Sequence, residues 1–84
     1  MDSMALFLQL YSLTPELQAP EGQAVIFRTE NYYVTGDHHN FGTIRRRKDD
    51  SEVVTLQGEE YADFYDTVDN MNEDLQDLYM EQYD

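Results

Sequence analysis

Residues Glu59–Asp84 read EEYADFYDTVDNMNEDLQDLYMEQYD, ten acidic side chains without a single Lys or Arg. Within them Tyr61, Phe64, Val68, Met71, Leu75 and Leu78 recur in steps of three and four, the seam of an amphipathic helix. An acidic tail with no fold would carry no seam. The spacing therefore predicts a C-terminal helix that turns Glu59, Asp63, Asp66, Asn70, Glu73, Asp77, Glu81 and Asp84 outward. Asp69-Asn70-Met71-Asn72 is poor helix interior, because Asp and Asn side chains compete for backbone hydrogen bonds and favour caps and turns. Two helices broken near Asn70 are the alternative to one.

The chain ahead of this segment reads as strands. Ala24-Val25-Ile26-Phe27 and Tyr32-Tyr33-Val34-Thr35 are β-branched and aromatic runs on either side of a turn at Thr29-Glu30-Asn31. Gly36–Gly42 (GDHHNFG) is a loop by composition, and Thr43–Lys48 and Glu52–Gln57 suit a hairpin around Asp49-Asp50-Ser51. Met4–Leu13 alternates in the manner of a half-covered strand, with a short helix as the competing reading. Thr14-Pro15-Glu16-Leu17 looks like a helix start that Pro20 and Gly22 soon end. The expected fold is α+β: a small antiparallel sheet of four or five strands packed against the acidic C-terminal helix. No repeat and no long linker divides residues 1–84, so one domain is expected.

Composition narrows the function. Eighteen acids against five bases give a net charge of −13, which removes direct nucleic-acid binding as a primary activity and disfavours anionic membranes. A basic protein surface is the natural partner. The 11 aromatics favour a packed core, since disordered chains are poor in them. With no cysteine, neither disulfides nor thiolate metal sites can brace the fold. The apolar N-terminus lacks the basic flank of a secretory signal, and no apolar run nears the ~20 residues of a membrane span. The expectation is a soluble, cytoplasmic protein.

Other candidate sites are weaker. His38-His39 has no second His or Cys cluster to complete a metal site, so no metal or cofactor is expected. Arg45-Arg46-Arg47-Lys48 suits internal pairing with Asp49, Asp50, Glu52 or the acidic helix, or else contact with an acidic spot on a partner. There is no phosphate loop, nucleophile elbow or zinc signature, and an enzyme is not expected. Tyr65 and Tyr79 lie beside the seam, either as core edge or as interface anchors among the carboxylates.

The acidic face has an energetic cost. Glu59/Asp63, Asp69/Glu73, Glu73/Asp77 and Asp77/Glu81 are like-charged pairs four residues apart, and further pairs fall at three, including Glu60/Asp63 and Asp74/Asp77. Such pairs each cost a helix about 0.2–0.5 kcal/mol before salt screening. Interleaved lysines would remove that cost at equal solubility, so the pattern points to a cationic partner. As one helix, the segment would run about 39 Å and carry a charge roughly every 4 Å, against one per roughly 3.4 Å along a DNA strand.

In size, charge and this acidic layout the chain resembles the small phage-type DNA-mimic inhibitors, which include anti-CRISPR proteins, anti-restriction proteins and inhibitors of uracil-DNA glycosylase. The resemblance covers the composition of the whole chain and the arrangement of Glu59–Asp84, and assigns no single residue by motif. It implies a protein of an infected bacterial cytoplasm that occupies the nucleic-acid channel of a basic DNA- or RNA-binding protein or nuclease complex. The residues expected to meet that partner are Glu59, Glu60, Asp63, Asp66, Asp69, Glu73, Asp74, Asp77 and Glu81, with Tyr65 and Tyr79. An acidic immunity protein or antitoxin, and an assembly protein with a merely solvated acidic face, are the alternatives.

Overall fold

Four strands built on those β-branched and aromatic runs form the first part of the computed structural model, which describes residues 17–84. They are β1 (Ala24–Arg28), β2 (Tyr32–Asp37), β3 (Phe41–Arg46) and β4 (Glu52–Gln57). Each pairs antiparallel with the next, so the sheet order is β1-β2-β3-β4. Two helices follow, α1 (Gly58–Asp69) and α2 (Glu73–Glu81), and the class is α+β. The expected strand at Met4–Leu13 and the helix start at Thr14-Pro15-Glu16 lie outside the described residues.

Two turns are placed differently from the sequence expectation. Gly36 and Asp37 complete β2, and Phe41 and Gly42 begin β3, which leaves His38–Asn40 as the turn. The Asp37 carboxylate closes it by accepting from the His39 amide at 2.8 Å. β3 ends at Arg46 rather than Lys48, because the Arg46 carbonyl accepts from the Asp50 amide and turns the chain. Asp50 takes the left-handed conformation there (φ 61°), which Asp tolerates better than most residues.

The sheet has two unlike faces. Val34, Ile44 and Val54 stand side by side on the helix side, with Tyr32, Leu56 and Phe27 nearby. The opposite side carries Tyr33 beside Arg45 and a row of Thr35, Thr43 and Thr55. Strict alternation would send one of Ile26–Phe27 and one of Val53–Val54 to the threonine side. Irregularities in the β1–β2 and β3–β4 registers fall at these two positions, and all four residues pack against the helix-side cluster. The bulges thus resolve two apolar runs that a regular strand could bury only in part.

Gly58, with φ 60°, turns the end of β4 directly into α1. α1 then lays Tyr61, Phe64 and Val68 onto the sheet, all essentially buried. Tyr61 fits because Gly42 lies beneath it: a Cβ there would stand 2.8 Å from the Tyr61 ring and 3.0 Å from Val34 Cγ1. Asn70 caps the C-terminus of α1, its side-chain amide donating to the Asp66 carbonyl at 2.7 Å. Asn72 begins α2 as its N-cap, accepting from the Leu75 amide at 2.9 Å. Gln76 reaches back and donates to the Val68 carbonyl at 2.9 Å and the Met71 carbonyl at 3.2 Å, which ties α2 to the end of α1 and the bend after it.

The reset between the helices changes which side of α2 faces the sheet. A continuous seam would bury Leu75 and Leu78. Instead Met80 is fully buried, while Leu75 is 49% and Leu78 57% exposed. The seam holds from Tyr61 to Val68, leaves Met71 half-buried, and is replaced in α2 by an inward side of Gln76, Asp77 and Met80. No helix among the described residues is long and apolar enough to cross a membrane.

Candidate partner-binding face

In α1 the apolar stripe Tyr61–Phe64–Val68 faces the sheet, so a 3.6-residue period turns Glu59, Asp63 and Asp66 directly away from it. Glu60 and Asp69 flank them, and all five are exposed. Across 12 residues, about 18 Å of helix, that is one carboxylate per roughly 3.6 Å. Glu73, Asp74 and Glu81 of α2 are exposed as well. The ion pairs among the described residues are Arg45 with Glu52 (3.4 Å) and Arg46 with Asp84. Neither involves any of these eight acids, which therefore face solvent with their charge uncompensated at close range.

Asp77 and Asp84, expected in the same outward row, are used inside the molecule. The Asp77 carboxylate accepts from the Thr29 hydroxyl (2.6 Å), the Asn31 amide (2.9 Å) and the Asn31 side chain (2.8 Å). Thr29 has one proton to give and sends it to the carboxylate, while its oxygen accepts from the Tyr32 amide at 3.2 Å. Partial burial pushes the Asp77 pKa up, but the bonds from Thr29 and Asn31 outweigh it and hold the group below the usual aspartate range. Asp84 accepts from Arg46 through two guanidinium nitrogens and from the Tyr32 hydroxyl at 2.9 Å. The Arg46 bond first, then that of Tyr32, lowers its pKa. Burial, reinforced by the bond to Asp84, pushes Tyr32 up to about 12.

The tyrosines belong to the packing that supports the face. Tyr65 is half-buried, its ring 5.3 Å from Phe27, 6.1 Å from Tyr61 and 6.4 Å from His38. Tyr79 lies 6.0 Å from Phe64 and 5.9 Å from Tyr83. These separations are typical of aromatic pairs, and both tyrosines flank the core cluster.

The arginine run divides by strand alternation. Arg45 points to the threonine side, where it bonds Thr35 at 3.0 Å and pairs with Glu52. Arg46 points to the helix side and holds Asp84. Arg47 caps the Thr29 carbonyl at 2.8 Å. Arg46 and Arg47 line a groove of about 650 Å³ together with Glu30, Tyr32, Lys48, Glu81 and Asp84, a mixed-sign surface. His38 and His39 are exposed in their turn, and among the described residues no three His, Cys, Asp or Glu side chains are grouped to hold a metal.

Sequence reasoning missed both carboxylate anchors and the exposure of Leu75 and Leu78. The available signal was Asn70-Met71-Asn72: carried through as a helix break, it changes the phase of α2 and turns Asp77 inward. Compared with protein families, curated proteins and solved structures, the chain has no match in any of the three.

Proposed function

We propose that this protein is a DNA-mimic inhibitor, which binds the cationic nucleic-acid-binding surface of a DNA-handling enzyme and blocks access of DNA. The observation that carries the reading is the set of eight exposed acids on α1 and α2, none of which forms an ion pair among the described residues. Glu59, Glu60, Asp63, Asp66 and Asp69 form the closest-spaced part of that face, and Glu73, Asp74 and Glu81 extend it. Asp77 is left out, because its oxygens are already taken by Thr29 and Asn31. Binding would relieve repulsion among like charges and would be steered by complementary fields. Tyr65 and Tyr79 act by holding the helices on the sheet.

The test is displacement of labelled duplex DNA from a panel of CRISPR effectors, restriction enzymes and DNA glycosylases. A mimic competes with the duplex on at least one of them. A variant with Asp63, Asp66 and Glu73 replaced by Lys should lose that competition while keeping its circular dichroism spectrum. A ternary complex with DNA still bound would instead identify an immunity-type binder acting away from the channel. Undiminished competition by the triple variant would rule out mimicry by this face.

A further inference from the structure

The side of α2 directly opposite Met80 is apolar. With Gln76, Asp77 and Met80 toward the sheet, a 3.6-residue period directs Leu75 and Leu78 outward, with Asp74 and Glu81 beside them. Among the described residues the two leucines remain 49% and 57% exposed. Lys, Gln or Glu would serve an exposed helix position equally well, because their helix propensities are close to that of Leu. Among the described residues, nothing in the packing of α2 requires leucine there. The notch beside Leu78 carries charge of one sign: Glu30 of the β1–β2 turn joins Glu73, Asp74 and Asp77 around about 310 Å³. From Gly58 to Asp84 the sequence contains no Lys or Arg.

We infer that Leu75 and Leu78 form an apolar anchor that seats one kind of occupant, a protein segment with apolar side chains rimmed by Lys or Arg. Two other occupants are opposed by the same charges. A second copy of this chain would bring Asp74 and Glu81 of both molecules together around a symmetric contact, and an anionic lipid surface would be repelled. A cation-rimmed partner has both complements, with its apolar residues over the leucines and a basic head group in the acidic notch. This goes beyond nucleic-acid mimicry, which asks only for charge, and it holds whether or not the partner binds DNA. Its signature is a component of binding that salt does not screen.

The experiment uses two synthetic helical peptides of equal positive charge, one alternating Leu and Lys in an amphipathic pattern, the other with Gln in place of Leu. Titration by fluorescence anisotropy in about 0.5 M salt suppresses the purely ionic part. The intact protein should bind the Leu/Lys peptide about tenfold or more tighter than the Gln/Lys peptide. The double variant Leu75→Ser, Leu78→Ser should lose that preference and still bind both peptides at low salt through its untouched acids. Because both sites are exposed, the variant should keep the wild-type unfolding midpoint within experimental error. Equal binding of the two peptides by the wild type, or an undiminished preference in the variant, would overturn the proposal. Sedimentation provides the other arm: a wild-type dimer that dissociates on the leucine substitutions would make the occupant a second copy, which also overturns it.

Discussion

The Asp77 carboxylate and the Thr29 hydroxyl stand 2.6 Å apart across 48 residues of sequence, joining α2 to the β1–β2 turn. Thr29 is completely buried, and Asn31 adds two more donors to the same carboxylate. A nine-residue helix is too short to be stable alone in water, so this anchor and the burial of Met80 hold α2 in place. Asp77→Asn keeps one acceptor but sets an amide against the Asn31 side-chain donor. It should cost about 1–2 kcal/mol in urea unfolding. Asp63→Asn, on the exposed side of α1, should stay within about 0.5 kcal/mol of wild type. Equal losses for the two would show that the anchor does not stabilise the fold.

Acid should release both anchors. Asp77 and Asp84 have folded-state pKa values below their unfolded value of about 3.9. On acidification the unfolded chain therefore takes up these protons first. The stabilisation is complete above the unfolded value and disappears as pH falls through the folded ones. The difference in urea midpoint between wild type and the double variant Asp77→Asn, Asp84→Asn should be constant from about pH 7 to 5 and shrink below about pH 4. A difference that stayed constant down to about pH 2 would contradict these shifts.

Tyr61 is 2% exposed, and its hydroxyl has no hydrogen-bond partner among the described residues. Burial, then the nearby Tyr65 and Asp37, pushes its pKa up to about 12. Tyr61→Phe keeps the ring over Gly42 and removes the unpaired group, so it should stabilise by about 0.5–1.5 kcal/mol. A thermal melt is sufficient to read the direction, and a fall in melting temperature would mean that the hydroxyl is satisfied in solution.

Gly42→Ala should act the other way. The new methyl would press on the Tyr61 ring at 2.8 Å and Val34 Cγ1 at 3.0 Å, both in the buried cluster. A loss of about 1–3 kcal/mol is expected, as for other overpacked cores, and chemical denaturation measures it.

The acidic face should be measurably unfavourable in the free protein. Asp69 ends α1 at the negative pole of the helix dipole, with Asp66 one turn before it. Asp69→Asn should therefore raise stability at low ionic strength by about 0.3–1 kcal/mol, and the gain should fade in about 0.5 M salt. Isothermal unfolding at two salt concentrations checks both statements.

The strand runs Ala24–Phe27, Tyr32–Thr35 and Glu52–Gln57 were legible because β-branched and aromatic residues between turn formers leave few other local solutions. The first half of the helical seam was legible for a similar reason, since Tyr61, Phe64 and Val68 keep their period inside one uninterrupted helix. Gly36–Gly42 was less so. Its glycines suggest a loop in isolation, but Gly36 and Gly42 pair across β2 and β3, and Gly42 makes room for the Tyr61 ring. Leu75 and Leu78 were misplaced because periodicity carries a phase only while the helix continues, and two asparagine caps interrupt it at Asn70 and Asn72.

By itself the sequence determined the sign and density of charge on the C-terminal segment, the α+β class and the strand-forming runs, because these depend on composition and short-range spacing. Only the tertiary structure decided which of these acids stay exposed and which are bonded within the molecule. Asp77 and Asp84 are withdrawn by Thr29, Asn31, Tyr32 and Arg46, groups at least 38 residues away in sequence. No local pattern encodes such pairings. They exist because the sheet and the phase of α2 bring one donor set within hydrogen-bonding distance of one carboxylate, and leave the other acids and two leucines facing outward.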